Sequence, residues 1–173
     1  MIQELRQWLM ERDEAAIDEA FFEEECPHFF SVDWREEDSE IVALCAGCPG
    51  VNSLHAEWHG DELAIIYNNS ETRVPLAHNE GDRDLTIRTL NDVLQPDCEI
   101  RYLVCSHGND SAGFVVLPAA DWRSLDSELS QSVNENFIKL NLLPNVFTEM
   151  TDKHLPEAAR ARFQRMLDRN RRQ

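Results

Sequence analysis

The sequence predicts an α+β fold: an antiparallel sheet of about five strands with an inserted helix, flanked by N-terminal and C-terminal helices. Three observations predict it. Between residues 51 and 118, short apolar or alternating runs are separated by clusters of turn formers, the pattern of strands joined by tight connections. Between Trp122 and Leu140, apolar residues recur at three and four positions, the period of a helix that buries one face. Both ends of the chain repeat that helical period around charged residues.

The central stretch justifies the sheet. Residues 51–58 alternate loosely, with Leu54, Ala56 and Trp58 on one side. His59-Gly60-Asp61-Glu62 is a turn, because Gly60 takes a positive φ at no steric cost. Residues 63–67 form a short apolar strand. Asn68-Asn69-Ser70-Glu71 is a second turn, since asparagine tolerates left-handed backbone. Residues 72–76 give a third strand that ends near Pro75, which lacks a ladder N–H. A helix follows, with Asp82 or Asp84 expected to cap it. Leu85, Leu90, Val93 and Leu94, with Ile87, lie on its apolar face, and Pro96 stops it. Residues 99–105 and 113–117 then form a hairpin around His107-Gly108-Asn109-Asp110.

The flanks read as follows. Residues 1–25 form an amphipathic helix with a stripe of Leu5, Trp8, Leu9, Ile17, Ala20, Phe21 and Phe22, with a break expected near Asp13. Residues 26–40 read as an irregular segment anchored by Phe29, Phe30 and Trp34. Residues 41–44 fit a strand or a short helix. A helix over 119–140 carries Trp122, Leu125, Leu129, Val133, Phe137 and Leu140. A last helix over 155–172 is the basic segment, with Arg160, Arg162, Arg165, Arg169, Arg171 and Arg172. It is expected either to pair with the acidic N-terminal region, within the chain or in a neighbouring copy, or to be a solvated helix end whose Arg residues favour the C-terminal dipole.

At 173 residues the chain makes one domain, residues 1–173, long enough for a substantial core. No apolar run approaches the roughly 20 residues that span a bilayer, and no secretory pattern opens the chain, so a cytoplasmic protein is expected. The five cysteines are odd in number, which argues for reduced, buried thiols rather than a disulfide framework. Net charge is -17, from 16 basic and 33 acidic side chains. That sign repels phosphates, so neither nucleic acid nor an anionic membrane is an expected partner, whereas a basic protein is. Residues 1–40 hold 14 acidic and 3 basic side chains, a net 11 negative charges.

Chemistry-bearing patterns are few. Cys26, His28, Cys45 and Cys48 supply three sulfurs and one nitrogen, the donor types of a structural zinc site, but without a second Cys-x-x-Cys. A redox reading of Cys45-x-x-Cys48 requires a helix starting there, which Pro49-Gly50 opposes. His55 and His59, four apart across an expected strand and turn, are not expected to share a face. Cys105-Ser106-His107 sets nucleophiles beside a base in sequence, though catalytic partners must meet in space. Phosphate-binding loops and nucleophile elbows are absent, so no enzyme and no cofactor are expected.

In size, in the acidic segment from Glu23 to Glu40 and in its lack of catalytic motifs, the chain resembles bacterial toxin-immunity proteins of contact-dependent, type VI and polymorphic toxin systems. The resemblance implies neutralisation of a basic toxin domain, often a nuclease, by covering its active site with carboxylates. The contacts expected here are Glu23, Glu24, Glu25, Asp33, Trp34, Glu36, Glu37 and Asp38. The alternative is a self-associating structural or regulatory domain, with or without zinc.

Overall fold

A computed structural model describes residues 2–22 and 26–171, and among these the fold is α+β. Helices α1 (Ile2–Glu11) and α2 (Glu14–Phe22) open the chain. Strand β1 (Phe29–Asp33) and helix α3 (Asp38–Ala46) follow, then the meander β2 (Leu54–His59), β3 (Glu62–Tyr67) and β4 (Ser70–Arg73). Helix α4 (Asp82–Leu94) leads to β5 (Cys98–Leu103) and β6 (Ser111–Pro118). Helix α5 (Ala119–Asn136), β7 (Phe137–Lys139) and α6 (Glu157–Asn170) complete it. None of these helices is long and apolar enough to cross a membrane.

The strands divide between two sheets rather than forming one. β2-β3-β4 is a three-stranded meander, and β1-β6-β5-β7 is a separate antiparallel sheet of four. The meander's turns follow from its residues. His59 pairs with Glu62 across a two-residue loop whose Gly60 has φ +71°, and Tyr67 pairs with Ser70 across Asn68 and Asn69, both left-handed. The third strand begins at Ser70, two residues before the sequence expectation, because those two asparagines already reverse the chain.

Several expectations move. Residues 29–33 are not irregular: they alternate in burial and pair with β6, Phe29 opposite Val115 and Asp33 opposite Ser111. Residues 41–44 belong to α3, whose first turn carries Asp38 and Glu40 where carboxylates favour a helix dipole. The long second helix stops at Asn136. Phe137 and Ile138 then turn into the sheet, with Leu103 opposite Phe137. Asp82 does not cap α4: its carboxylate accepts the Ala77 and Asn79 amides of the preceding loop, at 2.8 and 3.2 Å.

The four-stranded sheet is the centre of the core because both its faces are covered. Arg101 and Val115 face α5, where the Trp122 indole donates to the Glu99 carbonyl at 2.9 Å. Ile100, Tyr102 and Phe114 face the side of α3 and α4, and Phe30 stacks on Phe114 at 5.4 Å. Covered on both sides, β5 and β6 are almost continuously buried instead of alternating. Gly113 is required where the strands approach the 3₁₀ turn Val104–Ser106: a Cβ there would lie 2.8 Å from the Phe29 ring and 3.0 Å from the Ser106 Cβ.

The basic helix finds its counter-charges within the chain. Arg162 reaches Asp18 and Glu14, Arg165 reaches Glu14 and Glu135, and Arg169 reaches Asp18. Arg160 donates to the Asp152, Lys153 and Leu155 carbonyls. The cationic charge of α6 is therefore spent on α2, α5 and the preceding loop.

Candidate functional site

Of the expected contact residues, Glu23, Glu24 and Glu25 lie outside the described residues. The other five fall on one corner, where β1 leaves the sheet and the chain turns into α3. Asp33 ends β1, and its carboxylate accepts the Arg35 amide at 2.8 Å. Trp34 follows with 58% of its surface exposed, and the Arg35 guanidinium lies over its ring at 4.5 Å. Glu36 is half-buried, and its carbonyl accepts from Arg83 Nε at 3.0 Å. Glu37 is exposed and precedes the first turn of α3. Asp38 turns inward, accepting the Thr86 hydroxyl at 2.5 Å, so its carboxylate ties α3 to α4.

The corner carries more carboxylate than its cations balance. Partial burial, with the Glu40 carboxyl and Asp33 alongside, pushes the Glu36 carboxyl above its ordinary range. Burial and the nearby Asp82 do the same to Asp38, against the opposing Thr86 bond. A carboxyl whose folded pKa is raised binds protons more tightly in the folded state, so stability falls as pH rises from the unfolded to the folded value. Glu36→Gln removes that contribution. The variant is expected to match or exceed the parent at pH 7, within the roughly 0.5 kcal/mol usual for surface positions. Its melting temperature should change less than the parent's between mildly acidic and neutral pH. Unfolding scans across that range check this, and an unchanged pH slope would refute it.

Beside the corner lies a cleft of about 220 Å³, walled by Trp34, Tyr102, His107, Asp110, Phe147 and Met150 among others. A second hollow, of about 290 Å³, shares Asn109, Asp110 and Ser111 but lies on the side of Phe21 and Phe29. The 107–110 turn thus stands as a rim between two depressions. Its base is fixed by Ser106, whose hydroxyl donates to the Leu103 carbonyl at 2.7 Å and accepts the Gly113 amide at 2.9 Å. The far wall is held by α4: Arg88 donates to the carbonyls of Leu140, Leu143 and Pro144, and Asp84 accepts the Val146 amide at 3.0 Å.

Within the cleft, His107 is 7% exposed and its Nε2 is 2.9 Å from Oδ1 of the exposed Asp152. Its Nδ1 lies 3.4 Å from the Tyr102 hydroxyl. The chain Tyr102–His107–Asp152 has the connectivity of a relay, but burial pushes the Tyr102 phenol up to about 12 and raises Cys105 as well. Neither is an activated nucleophile. Ser106 spends its hydroxyl on the backbone bonds above.

The remaining chemical patterns resolve as follows. Among the described residues no group of three or more His, Cys, Asp and Glu side chains could hold a metal ion. His28 Nδ1 faces the Val116 carbonyl at 3.0 Å, and the Cys48 thiol lies 3.9 Å from the Leu44 carbonyl. Burial raises Cys26, raises Cys45 well above its ordinary value and pushes Cys48 up to about 12, which marks these as core thiols. His55 and His59 do share a face, contrary to expectation. β2 continues through His59, and its period of two puts both rings beside Glu57, at 3.5 and 3.9 Å.

Sequence reasoning reached Trp34 and its acidic neighbours but not the cleft beside them. Tyr102, Phe147 and Met150 gave no local signal, and only tertiary pairing brings their segments to Trp34 and the 107–110 turn. No family model, curated protein or solved structure matches this chain with significance.

Proposed function

We propose that this chain is an immunity-type binding protein that neutralises a basic protein toxin domain by occluding it with the acidic corner around Trp34. The observation that carries the reading is the imbalance at that corner. Burial with Glu40 and Asp33 alongside raises the Glu36 carboxyl, and burial with Asp82 nearby raises Asp38, while the Arg residues of α6 are engaged elsewhere in the chain. A fold under selection for stability alone gains nothing from such crowding, whereas a surface that meets a basic partner regains the repulsion on binding. The exposed Trp34 supplies the apolar anchor that charge alone lacks. The neutralisation is steric and electrostatic, with no bond made or broken.

The alternative of self-association through the basic helix loses its main attraction, because Arg162, Arg165 and Arg169 are paired inside one chain. Co-expression tests the proposal. The gene immediately upstream is expected to encode a large secreted protein with a small basic terminal domain. This chain should restore growth to cells expressing that domain, and the purified pair should associate faster at low salt than at high salt. Failure of the purified pair to bind at low salt would overturn the proposal.

A further inference from the structure

We propose that the cleft beside Trp34 seats a single arginine side chain of a basic protein partner. The inference rests on the docking reading above and names the group that the surface reads. The cavity, about 220 Å³, has room for one long side chain rather than a loop. Trp34, Tyr102, Phe147 and Met150 offer flat aromatic and thioether surface, which suits the faces of a guanidinium. Asn109 and Asp110 bring polar side chains to the lining of the same cleft, and Asp152 is 2.9 Å from His107 Nε2. Among the described residues, none that lines the cleft is Lys or Arg.

Two further observations select arginine. The Trp34 ring already accepts a guanidinium: Arg35 lies over it at 4.5 Å, and the residue is still 58% exposed. A planar, weakly hydrated guanidinium can stack on an aromatic wall and fork to acceptors together, whereas the compact ammonium of lysine does neither well. An anion would meet Asp110, and an apolar guest would strand the polar atoms of Asn109 and Asp110. The walls are also set in advance, by the Ser106 bonds on one side and the Asp84–Arg88 clamp on the other, which lowers the ordering cost of binding.

The probe is N-acetyl-arginine amide, titrated into the full chain at low salt and followed by NMR at the Trp34 indole and the Asp110 amide. Saturable shifts at both positions are expected. N-acetyl-lysine amide should bind roughly fivefold more weakly. Asp110→Asn, read at the indole, should weaken arginine roughly threefold, and Trp34→Ala, read at the Asp110 amide, roughly fivefold. Both positions are exposed, so the variants keep the fold, and an unchanged far-ultraviolet spectrum confirms it. Equal shifts from lysine, or shifts spread over the acidic surface and insensitive to both variants, overturn the arginine seat while leaving electrostatic docking intact. Sedimentation that shows the cleft filled by a second copy of the chain also overturns it. If the arginine probe binds as expected but no basic toxin domain is neutralised, the docking function fails and the pocket's chemistry stands.

Discussion

Trp34→Ala is expected to weaken the complex with the basic partner by about thirtyfold or more, the ~2 kcal/mol that marks an aromatic anchor at an interface. The side chain is 58% exposed in the free chain, so its truncation creates no cavity in the core and costs the fold little. The loss is expected almost entirely in the dissociation rate, because contacts formed only in the docked complex set residence time. Glu36→Lys with Glu37→Lys should behave differently. Both positions lie on the rim of the corner, Glu37 exposed and Glu36 half-buried, so the reversal should slow association by about tenfold at low salt and lose its effect near 1 M. Asp38 is left out of that pair because its carboxylate holds Thr86, and reversing it would test the α3–α4 contact as well. Surface-plasmon kinetics at two salt concentrations separate the two effects. Charge reversal that leaves association unchanged, or a Trp34 variant with parental affinity, would place the interface elsewhere.

What was legible in the sequence divides along the range of the interaction. Gly60, Asn68 and Asn69 announce the meander because a left-handed turn is decided by the residues in it. Pro96 and Pro156 mark helix boundaries for the same local reason. By contrast, Phe29 to Asp33 is a strand only because β6, some eighty positions later, offers its edge, as the bond from the Val116 amide to the His28 carbonyl shows. Phe137 and Leu140 continue the apolar period of α5 perfectly well, and the helix yields to β5 pairing at Asn136 all the same. Leu129 already departs from helical backbone seven residues earlier, at φ -131° and ψ 32°. The division into two sheets was equally out of reach, since residue pattern identifies strands but not the edges they join. The same reasoning separates the two halves of the candidate site. The acidic corner is contiguous in sequence and could be read. The cleft draws on β1, β5, the 107–110 turn and the 146–150 segment, and no local rule links them.

Asp18→Ala is expected to destabilise the fold by about 3 kcal/mol, and by more than Arg162→Met, although the two residues form one ion pair. The asymmetry follows from what each change leaves behind. Arg162 is 1% exposed, with Nε donating to the Asn136 side chain at 3.1 Å and Nη2 shared between Asp18 and the Glu14 carbonyl. Its Nη1 has no hydrogen-bond partner among the described residues and lies 3.5 Å from the Glu14 carboxylate. Removing Asp18 strips this buried cation of its closest counter-charge and leaves it only the more distant Glu14 carboxylate, and an under-compensated buried charge is among the costlier defects a fold can carry. Replacing Arg162 with methionine instead leaves Asp18 with Arg169 and Glu14 with Arg165, so both carboxylates keep a cation while an apolar stem fills the space. Asp18 and Glu14 are also less deeply buried than Arg162, so the methionine variant leaves no charge both buried and unpaired, which sets its smaller expectation. Urea unfolding of the two variants decides the order. A methionine variant less stable than the alanine one would mean that Arg165 and Arg169 do not support the α2 carboxylates, and that α6 is held to α2 through Arg162 alone.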